Sequence, residues 1–236
     1  MKRKNTGFRI QSSRARETRY RIFGSILNPA SLLIAPCSLI LTLFASSAFA
    51  GTQAYTPLSA SVRAVLQRSV SDQAAPKLAF ATQYEADSWL SQMSPRLAKR
   101  LPDSNERLDF LKTVHYEATR AGLDPELVLG LIEVESGFKK YSVSSVGARG
   151  YMQVMPFWVK EIGTDEHNLF HIRINLRYGC TILRHYLDIE KGDLYRALGR
   201  YNGSLGRPEY PNMVRAAWHS HWALPNPSVN KYIAAN

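Results

Sequence analysis

Apolar residues recur at helical spacing over much of the second half of the chain. Leu108, Leu111 and Val114 lie three residues apart, which predicts a helix from Ser104 to about Gly122. The next run, from Glu126 to about Ser136, is apolar on nearly every side. A helix of that kind has no face suited to water, so we expect it to be the buried central helix of a domain.

The segments that follow alternate between turn signals and helical signals. Residues 141–155 mix Ser, Gly, Val and Tyr, which predicts a loop or a short β-hairpin. Pro156 can begin a helix, Asn175 can cap a long one that runs to about residue 190, and Asp193 can cap another. Residues 208–222 predict a last helix that closes over the core. The pattern favours a mainly α domain with at most a short β-hairpin.

The first fifty residues have the order of a secretory signal peptide. They hold eight of the thirty Lys and Arg residues, then an apolar stretch over 31–46, then Ala48-Phe49-Ala50 before Gly51. We therefore expect export, with cleavage after Ala50. The basic segment is long for a signal peptide, so an over-extended start or an uncleaved membrane anchor is the alternative.

Four regions follow from this division. Residues 1–50 are the predicted signal peptide, 51–102 a helical lead-in whose packing the sequence leaves open, 103–224 the main domain and 225–236 a C-terminal tail. Without the leader, the net charge falls from +11 to about +4. A chain whose basic residues lie mostly in its leader gives no reason to expect nucleic-acid binding.

Cysteine and histidine usage argues against metal chemistry. If Cys37 is removed with the leader, Cys180 is the one cysteine left and no internal disulfide can form. It lies in an apolar helical stretch, so we expect a buried bystander. The six histidines show no metal-ligand spacing. The sequence predicts no cofactor and no metal.

Three short blocks carry the candidate chemistry. Glu135-Ser136-Gly137-Phe138 ends the apolar run, Gly150 to Pro156 reads Gly-Tyr-Met-Gln-Val-Met-Pro, and Tyr201-Asn202-Gly203 follows about fifty residues later. One carboxylate, an amide with two methionines and a Tyr-Asn pair suit the cleavage of a glycosidic bond.

Glu135 is the better of two candidate acids. A general acid needs a pKa well above the ordinary glutamate value near 4.3. Burial of its helix and its place in the last turn, beside the negative end of the helix dipole, should both raise that pKa. Glu133 points about 200° away around the helix, where we expect a solvated edge.

The blocks resemble the soluble lytic transglycosylases of glycoside hydrolase family 23, which are related to goose-type lysozyme. The resemblance covers about residues 106–222. The matching residues are Glu135, Ser136, Phe138, Ser144, Gly147, Ala148, Gly150, Met152, Gln153, Met155, Pro156, Asn175, Gly179, Tyr201 and Asn202. Tyr151 and Lys139-Lys140 depart from the usual Leu and Asn-Pro, which bears on the shape of the sugar subsites.

The resemblance implies a lysozyme-like helical fold and a peptidoglycan lytic transglycosylase in the periplasm, acting without a metal. It implies that Glu135 is the sole catalytic acid and base. It also implies that Ser144, Gln153 and Met155 line sugar subsites, while Tyr201 and Asn202 lie beside the carboxylate. The expected partner is the glycan strand, bound by a monomer. By this reading the bond between MurNAc and GlcNAc is cleaved and a 1,6-anhydroMurNAc end is formed.

Two other functions stay open at this point. A lysozyme-type hydrolase would need a second carboxylate near the cleft, such as Asp165 or Glu166. A non-catalytic cell-wall binding module would need no acid at all, and Glu135 argues against it.

The leader supplies a first testable prediction. Because Ala48-Phe49-Ala50 has the small-x-small form that signal peptidase recognises, protein expressed in a bacterium should begin at Gly51. N-terminal sequencing of the exported protein checks this. A chain that keeps Met1 and stays in the membrane fraction would instead indicate an anchor.

Overall fold

The domain is built from helices. The computed structural model describes residues 53–71, 80 and 82–224; the predicted leader and the tail after 224 lie outside them. The helices are α1 Ala60–Ser71, α2 Gln83–Leu97, α3 Ser104–Arg120, α4 Pro125–Ser136, α5 Phe157–Ile162, α6 Ile172–Ile189, α7 Leu194–Asn202 and α8 Glu209–Ala217, followed by a π-helical turn Trp218–Trp222. The described residues contain no β-strand longer than an isolated bridge, so the prediction of a mainly α fold is confirmed.

Helix α4 is the central element, as its sequence predicts. It packs against α3, α8 and the π-helical turn, and its apolar residues are buried on several sides. The Asp124 side chain caps its start by accepting from the backbone N–H groups of Glu126 and Leu127, at 2.7 and 3.0 Å. Pro125 occupies the first turn, and Gly137 ends the helix in the left-handed conformation at φ 57°.

Helix α3 begins at Ser104 as predicted, with Asp103 as its N-cap. Two other helix boundaries differ from the sequence prediction. Asn175 is not a cap, because α6 begins three residues earlier after His171 and buries Asn175 in its interior. The predicted last helix is divided: α8 ends at Ala217 and a wider π-helical turn follows.

The lead-in region is packed on the main domain. Helix α1 lies against α5 and α6, and α2 lies against α3 and the π-helical turn. The Trp89 indole N–H of α2 donates to Glu126 Oε1 at 2.7 Å, while Arg96 donates to the backbone carbonyls of His221 and Trp222 at 3.0 Å each. The described part of residues 53–97 therefore belongs to the same core as the site.

A tight hairpin-like loop crosses the end of α4. Val143 bridges Arg149, and Arg149 also bridges Val154. The turn between these bridges needs positive φ at Gly150 (75°) and Gln153 (46°). The prediction of a loop or short hairpin over residues 141–155 is thus confirmed. The segment is a loop with two isolated β-bridges.

A buried ion cluster joins α3 to α6. Glu117 accepts from Arg177 at 3.0 Å, and Arg173 and Arg120 approach the same carboxylate at 3.5 and 3.6 Å. Three guanidinium groups around one enclosed carboxylate offset the cost of removing it from water.

None of the helices in the described part of the chain combines the length and the apolar composition needed to cross a membrane.

Cys180 supplies the second prediction. It is 1% exposed inside α6, and burial raises the pKa of its thiol. The native protein should therefore not react with a thiol reagent at pH 8. Cys180→Ala should lower the free energy of unfolding by about 1 kcal/mol, the scale of a small cavity, without changing activity. Loss of turnover at unchanged stability would contradict this reading.

Candidate active site

Glu135 lies in the last turn of α4 and is almost fully enclosed. Its residue is 5% exposed, and the Tyr210 hydroxyl of α8 donates to its Oε1 at 2.5 Å. The other oxygen, Oε2, accepts no hydrogen bond from any described residue. One oxygen is therefore fixed, and the other is left to carry a proton or to meet a ligand.

Burial decides the protonation state of this carboxyl. Desolvation raises the pKa of Glu135 to about 8, and the hydrogen bond from Tyr210 opposes part of that rise. No acidic side chain is among the groups that shift it. At neutral pH the group is thus mostly a neutral acid, which is the form that a proton donor needs.

A raised pKa alone does not identify the acid. Burial also raises the pKa of Glu126, at the other end of α4, with a further contribution from Asp124. The Glu126 carboxylate is occupied by the Trp89 indole and joins α2 to α4. It lies in none of the three motif blocks, so it offers a control of similar chemistry.

The loop over residues 141–155 is tied to the end of α4 by side chains of the motifs. The Ser136 hydroxyl donates to the backbone carbonyl of Tyr151 at 2.8 Å. The Tyr201 hydroxyl donates to the carbonyl of the next residue, Met152, at 2.7 Å. The residue after the acid and the Tyr-Asn motif therefore hold two consecutive carbonyls of one turn, which explains why the blocks occur together.

Asn175 and Gly179 seat the same turn from the side of α6. The Asn175 amide oxygen accepts from Met152 N–H, and its nitrogen donates to the carbonyls of Arg149 and Leu169, each at 2.8 Å. A Cβ at Gly179 would lie 2.3 Å from the Met152 sulfur. These two positions hold the loop rather than cap a helix.

The predicted subsite residues occupy several different settings. Ser144 accepts from Ala148 N–H at 3.0 Å within the hairpin. The Gln153 amide donates to the carbonyls of Ser142 and Gly150 at 3.2 and 2.9 Å and is 2% exposed. Both side chains brace the loop, and sugar contact by either stays a prediction.

Of the other three predicted residues, Tyr201 interacts electrostatically with Glu135, and a role at the acid stays a prediction for Met155 and Asn202. Met155 is partly buried against the core, and Asn202 is buried at the end of α7. Burial first, and then the Glu135 charge, raises the pKa of Tyr201, so this phenol stays protonated and close to the carboxylate in electrostatic terms.

Two side chains at the site were not found from the sequence. Tyr210 stands in an ordinary helical stretch of α8, and no motif marks it. Gln53 lies in the lead-in, yet its Oε1 accepts from the Trp158 indole N–H at 2.9 Å and from Met155 N–H at 3.4 Å. The composition of residues 51–102 does not predict such a contact.

Glu133 is bound in a polar cluster, which corrects the expectation of a solvated edge. Its carboxylate accepts from the Trp222 indole N–H at 2.7 Å and from Arg100 at 2.7 Å, and it contacts His221 at 3.0 Å. The cluster fastens the π-helical turn to α4. Glu133 therefore has a structural task on the other side of the helix from Glu135.

The candidate second carboxylates of a hydrolase are exposed. Asp165 and Glu166 lie in the turn between α5 and α6, and neither is among the groups that shift the pKa of Glu135. No group of three or more His, Cys, Asp or Glu side chains in the described ranges could hold a metal ion.

Comparison with known proteins identifies the domain. Residues 112–212, which include Glu135 and Tyr210, match the family described as Transglycosylase SLT domain. The chain is 33% identical over 103 residues to a transglycosylase of Enterobacteria phage PRD1, covering 44% of this chain and 38% of that protein. It is 49% identical over 47 residues to membrane-bound lytic murein transglycosylase C of Actinobacillus pleuropneumoniae serotype 5b, covering 20% of this chain and 13% of that protein.

These matches support a soluble lytic transglycosylase SLT domain over residues 112–212. The matched segments span well under half the length of either relative.

Replacement of the carboxylates of α4 gives the third prediction. Glu135→Gln should lower turnover of peptidoglycan at least about 10²-fold, the usual scale for a general acid, while the fold is kept. Glu126→Gln and Glu133→Gln are the matched controls: each should lower the melting temperature, because the amide perturbs the hydrogen bond from a buried indole N–H (Trp89 or Trp222), but leave turnover of the folded fraction unchanged. A control that abolishes turnover while Glu135→Gln stays active would place the acid elsewhere.

The hydrogen bond from Tyr210 gives the fourth prediction. It stabilises the ionised form of Glu135, so its loss in Tyr210→Phe should raise the pKa of that carboxyl further. If the protonated acid is the active form, the basic limb of the pH–rate profile moves to higher pH. Turnover measured from pH 5 to pH 10 checks this. A limb that moves to lower pH, or does not move, would mean that Tyr210 does not act on the acid.

Proposed function

We propose that this protein is a peptidoglycan lytic transglycosylase that cleaves the β-1,4 bond between MurNAc and GlcNAc and leaves a 1,6-anhydroMurNAc end. The observation that carries the proposal is the enclosed Glu135 carboxyl, whose pKa is raised to about 8 by burial with no acidic neighbour contributing. The SLT domain and the relatives named as transglycosylases support the same activity.

In the first step Glu135 acts as the acid. Its protonated oxygen donates to the glycosidic oxygen as the bond from that oxygen to the anomeric carbon breaks. Oε2 suits this task, because Oε1 is held by Tyr210 and Oε2 has no protein partner among the described residues. Enclosure of the carboxyl keeps the proton in place at neutral pH.

In the second step the same carboxylate acts as the base. It takes the proton of the muramoyl C6 hydroxyl while that oxygen bonds to the anomeric carbon, so the ring closes and Glu135 is protonated again. The substrate supplies its own nucleophile, and no water has to be activated. A second carboxylate, which ordinary glycosidases need, is therefore unnecessary.

The remaining motif residues form the surroundings of the acid. Ser136, Tyr201 and Asn175 hold the turn at 151–152 against the helix end. We propose that Ser144, Gln153, Met155, Tyr201 and Asn202 form the sugar-binding surroundings, with Ser144 and Gln153 acting mainly through the shape of the hairpin.

The proposed setting is the periplasm, where a protein exported by the predicted leader would meet peptidoglycan as a monomer. A lysozyme-type hydrolase is the second candidate. It is favoured less, because Asp165 and Glu166 are exposed and do not contribute to the pKa of Glu135.

The product ends give the fifth prediction. If the C6 hydroxyl is the nucleophile, released chains should end in an internal anhydro ring and be lighter by one water than hydrolysis products. Digestion of peptidoglycan in heavy-oxygen water, followed by mass analysis, should then find the new ends unlabelled. A reducing end that carries the heavy oxygen would identify a hydrolase and direct attention to Asp165 and Glu166.

A further inference from the structure

The segment before α1 reaches the proposed active site. Residues 53–59 have no regular structure and most of them are exposed, yet Gln53 is 4% exposed. Its Oε1 accepts from the Trp158 indole N–H at 2.9 Å and from Met155 N–H at 3.4 Å. The buried Nε2 has no hydrogen-bond partner among the described residues, so the two bonds to Oε1 are what position the side chain.

Gln53 also affects the tyrosine that holds the loop. Burial raises the pKa of the Tyr201 phenol, and the Gln53 side chain opposes that rise. Tyr201 donates to Met152 O at 2.7 Å. The lead-in thus contacts Met155 directly, while Tyr201 holds Met152 at the other end of the same turn.

A clasp on α5 keeps the segment in place. The Tyr55 hydroxyl donates to Glu161 Oε1 at 3.1 Å, and Arg63 pairs with Glu161 Oε2 at 3.0 Å. The Tyr55 ring also meets Phe157 edge-on, at 5.5 Å between centroids. Glu161 therefore fastens both Tyr55, two residues after Gln53, and the first helix.

We propose that Gln53 is a positioning residue of the glycan-binding cleft, acting through the backbone of Met155 and the indole of Trp158. This proposal rests on the proposed function, because it assigns Gln53 to the same site. It implies that a segment outside residues 112–212 is part of the working unit.

Binding in an inactive background tests the proposal. In the Glu135→Gln protein, Gln53→Met keeps the length of the side chain but removes the acceptor of Trp158 and Met155. The Kd for a soluble GlcNAc-MurNAc tetrasaccharide, measured by calorimetry, should rise about fivefold to tenfold, the scale of a lost hydrogen bond. Gln53→Glu keeps an acceptor oxygen and should restore the Kd to within about twofold.

Tyr55→Phe is the matched control, since it removes one hydrogen bond of the same segment away from the loop. It should change the melting temperature but not the Kd. If Gln53→Met also lowers only the melting temperature, Gln53 is merely structural and the proposal fails. These measurements need no turnover, so an inactive wild type would overturn the proposed function and leave this comparison intact.

A second inference comes from the outer face of the hairpin. Tyr141 is 71% exposed, and its ring lies 5.8 Å from that of Phe170. Lys140 Nζ stands 5.3 Å from the Tyr141 ring and Arg149 Cζ stands 5.9 Å from the Phe170 ring. Together with Lys139, these residues form what we call the hairpin patch. None of its three cations pairs with an acidic side chain of the described residues.

The chemistry of the patch fits an anionic chain that also has flat faces. The exposed Tyr141 ring and the half-buried Phe170 ring can stack, and three cations without acidic partners attract carboxylates. The Arg149 carbonyl, which is in the patch, accepts from Asn175, the side chain that also accepts from Met152 N–H. The patch is thus joined through Asn175 to the turn of the proposed active site. In peptidoglycan the carboxylates belong to the stem peptides.

The geometry points to the hairpin patch as a binding surface for the stem-peptide carboxylates of peptidoglycan. This inference also rests on the proposed function.

Pelleting with two forms of cell wall tests this second inference. In the Glu135→Gln protein, the double change Lys139→Gln and Lys140→Gln should weaken binding to intact sacculi about threefold to tenfold at low salt, the scale of two exposed charge contacts. Binding to glycan strands stripped of stem peptides by an amidase should not change. Lys112→Gln with Lys160→Gln, both exposed elsewhere, is the control with equal loss of charge and should match the parent on both materials.

Equal weakening on stripped strands would assign the patch to the glycan and contradict the stem-peptide inference. No difference between the patch variant and the control would contradict it as well. Absence of any binding by Glu135→Gln, while the wild type still solubilises sacculi, would refute the patch and leave the proposed function standing.

Discussion

The exclusion of water from the Glu135 carboxyl is the constraint on which the site depends. Burial raises the pKa of this group to about 8, and Tyr210 limits the rise through one hydrogen bond. Between the unfolded pKa, about 4.3, and the folded one, the folded protein keeps a proton that the unfolded chain releases. The free energy of unfolding therefore falls as pH rises across that window. Burial of the acid thus lowers the stability of the fold at neutral pH.

The other motif residues hold one turn of the loop against the end of α4. Ser136, Tyr201 and Asn175 each bond to a backbone group of the turn at 151–152, from α4, α7 and α6 respectively. Gly179 lets the Met152 sulfur approach α6. Three helices thus hold two peptide units, and a change in any of these side chains should alter this turn even without touching a substrate.

Local sequence patterns predicted the helices, but they could not predict contacts between residues that are distant in the sequence. The apolar run of α4, its Asp124 cap and the place of Glu135 in the last turn are properties of neighbouring residues, so the sequence predicts them well. Tyr210 and Gln53 lie 75 and 82 positions from Glu135, and only the folded chain brings them to the site. The prediction of Asn175 as a helix cap was wrong, because its side-chain amide bonds to the backbone of the loop instead. The prediction of Glu133 as solvated was wrong, because its partners come from distant segments.

The most direct test of this account is the ionisation of Glu135 itself. A protein carrying carbon-13 in its glutamate carboxyl groups can be titrated by NMR, with Glu135→Gln used to assign the signal. The account predicts a midpoint of about 8 for Glu135. A midpoint near the ordinary value of about 4.3 would show a carboxylate that is ionised at neutral pH, and it would contradict the assignment of Glu135 as an enclosed proton donor.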